Sequence, residues 1–294
     1  MKSLKASSLL MSRGGSREVE KLSISDLSYS PYLTIIDNLN ALLTSLFSAG
    51  EQGAIYIPNP IVNGVQSLFQ DSAGTAAVTA DGDPVGRMLD QSGNGNHATQ
   101  SVSGSKPVYR TDGTLHWLEF DGVDDFMQTS SIDFTGTNKM SVVTGARKLS
   151  DATTSSIAGL SSDGSNNSGT VEVFGATSGG TNKFVFSSKG TSQQFVVALN
   201  AQYNAPITAV ITGLSDIAAP SVSLRINSEV IGSNTGNQGT GNYGDHDLYI
   251  GMRGGTNNPF TGNVYSLVIR GTETTASDLA QLEQYVAARA GVTL

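Results

Sequence analysis

Downstream of about residue 65 the chain falls into short runs in which apolar and polar residues alternate, separated by clusters of Gly, Asn, Asp and Ser. Alternation with a period of two puts one side chain in a core and the next in solvent, so these runs predict half-buried antiparallel strands. The clearest are LHWLEF, FMQTS, KMSVVTGAR, TVEVFGA, KFVFSSK, QFVVALN, PITAVITGL, SVSLRIN, DLYIGMR and GNVYSLVIR. So many strands in one unit require two packed sheets. In LHWLEF the alternation sets His116, Leu118 and Phe120 on one face and Leu115, Trp117 and Glu119 on the other. Leu118 and Phe120 are the expected core pair. Trp117 then needs cover from a helix or a partner, or offers a flat face to a sugar.

Two segments follow a helical period instead. In Ser30 to Gly50, SPYLTIIDNLNALLTSLFSAG, Ser30 suits a cap, Pro31 the first turn and Gly50 the end. Tyr32, Ile35, Leu39, Leu42 and Leu46 recur at spacings of three and four like a coiled-coil seam, widened by Ile36, Leu43 and Phe47. Such a stripe packs on its own domain or docks onto another subunit. For assembly it needs neighbours besides its own copies, because two heptads alone are marginal. Near the end, Thr275 and Asp278 form a capping box, Leu279, Leu282, Val286 and Ala290 share a face, and Gly291 follows the last turn. The expected organisation is an arm over 1–29, an attachment or oligomerisation helix with a Gly/Pro-rich linker (GEQGAIYIPNPIVNG) over 30–64, and one β-domain over 65–294.

Composition narrows the chemistry. The chain has 294 residues, 38% of them apolar, enough for one large β-domain. A net charge of −8 argues against a nucleic-acid-binding body, since phosphate neutralisation needs clustered Lys and Arg. Only the arm is mildly basic, with Lys2, Lys5, Arg13, Arg17 and Lys21 against Glu18 and Glu20. Cysteine is absent, which removes disulfides, zinc-thiolate sites and thiol catalysis and fits assembly in a reducing cytoplasm. No apolar run reaches membrane-spanning length, and MKSLKASSLLMSRGG is too interrupted for a secretion signal. No membrane partner is expected.

The stretch DQSGNGNHATQ imitates two ligand-binding motifs. Gly93, Gly95 and Ala98 spell a dinucleotide fingerprint, but HATQSVSGSKPVYR carries Pro, Gly and β-branched residues where a helix must begin. Asp90, Ser92 and Asn94 resemble the start of a calcium loop, yet Ser101 stands where a bidentate acid is required. What remains is a turn that satisfies its own backbone, with Gly93 and Gly95 at positive φ, Asn94 and Asn96 as local hydrogen-bonders and His97 as a packing residue.

Taken together, SLFQDSAGT, DPVGRMLDQSGNGNHATQ, KPVYRTDGTLHWLEFDGVDDFM and GNVYSLVIRGTETTASDLAQLEQYVAARAGVTL resemble the laminin-G-like, concanavalin A-like domains of bacteriophage virion proteins and some bacterial surface proteins. The resemblance spans roughly residues 65–294. It implies an all-β, antiparallel two-sheet jelly roll, and glycan or protein binding more often than catalysis. It also implies a virion setting: a tail fibre, appendage or capsid decoration. There the protein would be a homo-oligomer held to other virion proteins through residues 1–50 and displayed toward host-surface glycan. A cell-surface lectin is the alternative, and a glycan depolymerase a third reading.

Candidate site residues follow. Asp121, Asp124 and Asp125 crowd one turn and either share backbone donors or recruit a cation, calcium being the ion such sandwiches often hold. The long loops after Leu160, Ile231 and Met252 are rich in amides and hydroxyls; within them Tyr243, His246, Asn257 and Phe260 are the candidate glycan contacts. No enzyme is expected. A glycosidase needs two carboxyls across the scissile bond, and Glu119, Glu172, Glu229, Glu273 and Glu283 form no such pair in sequence. The histidines His97, His116 and His246 have no nucleophile motif beside them.

Overall fold

The computed structural model describes residues 42, 43, 45–164 and 166–294. Two antiparallel sheets face each other. Edge to edge, the first holds Glu229–Asn234, Ser221–Ile226, Ile207–Asp216, Lys139–Lys148, Thr261–Arg270, His116–Asp121 and Val108–Thr111. The second runs Gln193–Ala198, Phe184–Lys189, Thr170–Ala176, Ser155–Leu160, Leu248–Ile250, Met127–Gln128, Ala98–Thr99, Arg87–Met88 and Leu68–Phe69. The fold is an all-β, antiparallel two-sheet jelly-roll sandwich. Leu118 and Phe120 lie between the sheets, where Val142, Ile211 and Leu267 meet Ile157, Val173 and Phe186. Each such side chain contributes about 1.5–3 kcal/mol by leaving water.

The sandwich begins earlier than the turn-rich composition of residues 50–64 implies. Gly53–Tyr56 is a strand, buried throughout, that pairs with Leu267–Arg270 on the edge whose other half, Thr261–Val264, takes His116–Asp121. Its four residues are too few for a periodic signal, and Gly and Pro on either side mask them.

A second core covers the outer face of the first sheet. Val143, Val210 and Val268 point away from the sandwich interior and are roofed by Leu279, Leu282, Tyr285 and Val286 of the helix Ala276–Ala290 and by Leu42, Leu43, Leu46 and Phe47. The helix ends as its sequence requires: the Thr275 hydroxyl accepts from the Asp278 amide at 3.1 Å, and Gly291 is left-handed at φ 66°. Leu42 and Leu46, read above as part of an assembly seam, are 5% and 1% exposed because this chain's own sheet and helix cover them. They are not available to a partner. Tyr32, Ile35 and Leu39 lie outside the described residues. Arg270 fixes this arrangement, donating to the Leu46 carbonyl, to Glu51 Oε1 at 2.7 Å and to the Glu273 carbonyl at 3.1 Å. Trp117, half-buried on the same outer face, packs against Tyr265 with ring centroids 5.7 Å apart.

The turn beginning at Asp90 is a staple. Asp90 is buried and accepts from the amides of Ile55 at 2.9 Å, Ser92 at 2.8 Å and Asn96 at 3.0 Å. Asn94 and Asn96 donate to the Gly53 carbonyl at 3.0 and 2.8 Å, and His97 Nδ1 accepts from the Asp90 amide at 3.0 Å. Gly93 and Gly95 take φ of 92° and 78°, which side-chain-bearing residues rarely adopt. Asp90, Asn94 and Asn96 thus clamp the strand Gly53–Tyr56 through its backbone.

Candidate functional site

At one end of the sandwich three loops meet: the FDGVDD turn after His116–Asp121, the loop after Met252 and the loop after Leu160. Two glycines make the approach possible. A Cβ on Gly255 would stand 2.7 Å from the Phe126 ring, and one on Gly254 would stand 2.6 Å from the Ser162 carbonyl oxygen. Phe126, half-buried, tilts against Tyr249 with centroids 6.4 Å apart. Arg253 reaches beneath the loops to Glu172, Nη1 to Oε2 at 3.2 Å.

Asp121, Asp124 and Asp125 converge here, their ligand atoms all within 4.8 Å of one another. Each uses one oxygen to hold the turn. Asp121 Oδ1 accepts from the Val123 amide at 2.8 Å, Asp124 Oδ2 from the Ser105 hydroxyl at 2.8 Å, and Asp125 Oδ2 from the Asp121 amide at 3.1 Å. Burial, opposed by that one amide bond and reinforced by the charges of Asp121, Asp124 and Glu119, pushes the Asp125 carboxyl up to about 7. Oxygen-only donors with uncompensated negative charge fit a hard cation such as calcium and not a thiolate- or imidazole-seeking metal.

The raised Asp125 value has a stability consequence. The folded state holds this proton more tightly than the unfolded chain, so its contribution is complete below about pH 4 and is lost as pH rises toward 7. With chelator present, Asp125→Asn is expected to raise the melting temperature by roughly 3–6 °C at pH 8 and to leave it unchanged near pH 4, as read by thermal denaturation. Equal shifts at both pH values would contradict the assignment.

The glycan contacts expected from sequence divide. Tyr243 is 1% exposed and its hydroxyl bonds Ser188 at 2.8 Å and Ser215 at 2.6 Å, while Phe260 is 1% exposed against Phe120. Both are core residues that close the sandwich from within their loops, and neither can stack on a sugar. His246 pairs with Ile132 in a short ladder and its Nε2 meets the Ser168 carbonyl at 2.8 Å, a structural bond. Asn257 is exposed on the turn closed by Arg253, beside the three-loop surface.

Glu172, Arg253, Phe126 and Tyr249 were missed as site residues. Glu172 and Arg253 lie far apart in sequence and become a pair only when Thr170–Ala176 runs beneath the loop. Glu172 is 4% exposed, and burial raises its carboxyl to about 7 against the pull of Arg253. A lone protonated carboxyl can act as a general acid, but glycoside hydrolysis needs a second one, and the charged group in contact with Glu172 is a guanidinium.

No protein-family model matches the sequence, and no curated protein matches it. Solved structures do. Botulinum neurotoxin type C, whose cell entry is dependent upon interaction with two ganglioside molecules, aligns over 85% of this chain and 53% of its own, at TM-score 0.54 and 11% identity. The binding domain of botulinum neurotoxin serotype D/C VPI 5993 aligns over 83% of this chain and 53% of its own, at TM-score 0.53 and 11% identity. The serotype D binding domain aligns over 80% and 52%, at TM-score 0.53 and 11% identity. The chain thus spans about half the length of these neighbours. What they share with it is the two-sheet sandwich.

Proposed function

We propose that this protein is a non-enzymatic, glycan-binding sandwich that takes its ligand on the three-loop surface. The observation that carries the reading is the meeting of Asp121, Asp124 and Asp125 with Phe126, Tyr249, Arg253 and exposed Asn257. Carboxylates that hold a cation can engage vicinal hydroxyls, an aromatic edge covers the apolar face of a sugar ring, and amide and guanidinium donors fix its orientation. Botulinum neurotoxin type C, with its dependence on gangliosides, supports the reading as a precedent for the fold. A glycan array probed in calcium and in chelator, with a reducing-end assay on any polysaccharide bound, tests it. Binding without release of reducing ends is expected; release abolished by Glu172→Gln would make the protein a depolymerase.

The setting proposed is the surface of a bacteriophage particle, supported by the SGNGNHA and FDGVDD motifs. Because Leu42, Leu43, Leu46 and Phe47 roof the second core, attachment falls to the residues before Leu42. Deleting residues 1–41 is expected to leave a folded sandwich that no longer joins particles, whereas deletion through Gly50 uncovers the sheet as well. Particles that still incorporate the shorter deletion would refute this attachment.

A further inference from the structure

The outer face of the second sheet carries a cleft of about 240 Å³, lined by Arg87, Gly95, Asn96, His97, Thr99 and Ser130. Strand alternation builds it. Met88, Ala98 and Met127 point into the core, so Arg87, Thr99 and Gln128 point outward, and His97 and Ser130 flank them. Arg87 stands opposite Thr99, Thr99 opposite Gln128, and Gln128 opposite Tyr249 of the three-loop surface. With strands spaced about 4.8 Å apart, Thr99 lies about 10 Å and Arg87 about 14 Å from Tyr249 along one face.

The cleft offers donors and no carboxylate. Among the described residues Arg87 forms no ion pair. Its Nη1 donates to the Ala73 carbonyl at 3.1 Å and its Nε is sealed from solvent, which leaves Nη2 open and without a partner. The loop beneath the guanidinium is cross-tied by Asp71, which accepts from the amides of Gly74 at 2.6 Å, Thr75 at 3.0 Å and Ala76 at 2.6 Å. A Cβ on Gly74 would stand 3.2 Å from Arg87 Cδ, so the arm is held in place before any ligand arrives. His97 adds a directed donor: its Nδ1 accepts from the Asp90 amide at 3.0 Å. Burial, aided by the charge of Arg87 and opposed by that of Asp90, keeps its pKa below the usual value. At pH 7 the ring is therefore neutral, and its one proton sits on Nε2, which is not sealed and makes no bond among the described residues. Asp90 does not offset Arg87 as an ion pair, since its oxygens serve the Ile55, Ser92 and Asn96 amides and the Ser92 hydroxyl. Ser130 is exposed, and the Thr99 hydroxyl makes only a long bond of 3.4 Å to the Gln128 carbonyl.

A guanidinium, a ring N–H and two hydroxyls suit a negative group with several acceptor oxygens, which a sulfate or phosphate ester supplies. The space equals about eight waters at bulk density, room for such a group and part of the sugar ring that bears it. We infer that this cleft is an oxyanion subsite of the glycan surface, taking a sulfate or phosphate ester on a chain whose neighbouring units reach Tyr249 across Gln128. The inference rests on the glycan reading and narrows the ligand to an anionic, ester-substituted saccharide.

The test is titration of glucose 6-sulfate, glucose 6-phosphate, glucuronate and glucose into the full chain, with the imidazole signals of its three histidines followed by NMR. At least one ester is expected to move the His97 signal saturably and to bind at least about tenfold more tightly than glucose, with His116 and His246 unmoved. The tighter ester names the source of the oxyanion. Arg87→Met is expected to weaken that ester at least about tenfold, and Ser130→Ala, at an exposed position that leaves folding unchanged, by about two- to fivefold. Asp121→Asn/Asp124→Asn is expected to leave the response intact. On a glycan array, the ester-bearing form of a bound glycan is expected to outbind its ester-free form with the parent and not with Arg87→Met. A His97 signal indifferent to both esters, glucuronate bound as tightly as the better ester, or an Arg87→Met protein that responds as the parent does, would each overturn the inference and leave the three-loop reading standing. An ester response from a protein that binds no glycan on the array would uphold the oxyanion cleft and remove that reading.

Discussion

Alanine at Glu283 is expected to lower the unfolding free energy by about 3–5 kcal/mol, measured by urea denaturation at pH 7. Glu283 sits on the inner face of the helix Ala276–Ala290 at 0% exposure, and Arg225 clasps it with two bonds, Nε to Oε1 at 2.8 Å and Nη2 to Oε2 at 3.0 Å. The Thr212 hydroxyl adds a third at 2.9 Å. Burial alone would raise the carboxyl's pKa; the bonds from Arg225, Ser228 and Thr212 outweigh it and hold the value below the ordinary range. The sign follows: this contribution is present above the unfolded carboxylate's pKa and is lost as pH falls through the folded one. Truncation strands a largely buried guanidinium and a buried hydroxyl, and it loosens the helix that roofs the first sheet. Replacing both charges, Arg225→Met with Glu283→Met, is expected to cost much less than Glu283→Ala, because no buried charge is then left alone. A double variant as unstable as the single one would show that the pair acts through packing.

Asp90→Ala is the second large effect, expected at about 3 kcal/mol or more. Three amides lose their acceptor at once, among them that of Ile55, a fully buried residue in the strand that closes the half-open edge of Thr261–Arg270. Each buried donor left unmade costs about 1–3 kcal/mol. Asp90→Asn keeps one acceptor oxygen but turns an N–H toward the Asn96 amide and the Ser92 hydroxyl, so it is expected to fall between the parent and Asp90→Ala. Hydrogen exchange at Ile55 and Tyr56 would localise the damage; protection there unchanged from the parent would remove the staple from the account.

These two anchors show what the sequence made legible. The alternation in LHWLEF located Leu118 and Phe120 in the core because a strand buried on one side leaves a period-two trace. The Asp90 turn was readable only in its local part, the bonds of Asp90 with the Ser92 and Asn96 amides and with His97; the bonds of Asp90, Asn94 and Asn96 to Ile55 and Gly53 join distant segments. The Thr275 cap and the Gly291 stop were local in the same sense. Contacts between distant segments were not readable. Nothing in NYGDHD or NPF announces that Tyr243 and Phe260 turn inward, since their partners Ser188, Ser215 and Phe120 are set by the fold. The seam of Leu42 and Leu46 has the same periodicity whether it meets another subunit or its own sheet, and the periodicity cannot tell which. The carboxylate cluster was legible for the converse reason: Asp121, Asp124 and Asp125 fall within five consecutive residues, so one turn suffices to gather them. Glu172 and Arg253, which complete the surface, are joined only by the loop crossing.

The most direct test of the glycan reading is the binding of an array-positive glycan by the parent protein and by Asp121→Asn/Asp124→Asn, each in calcium and in chelator. Asparagine keeps an acceptor for the Val123 amide and the Ser105 hydroxyl, so the turn is expected to stay folded while its charge falls. The parent is expected to bind in calcium and to weaken at least about tenfold in chelator, with the variant weak in both. Binding indifferent to calcium and to both substitutions would contradict the account.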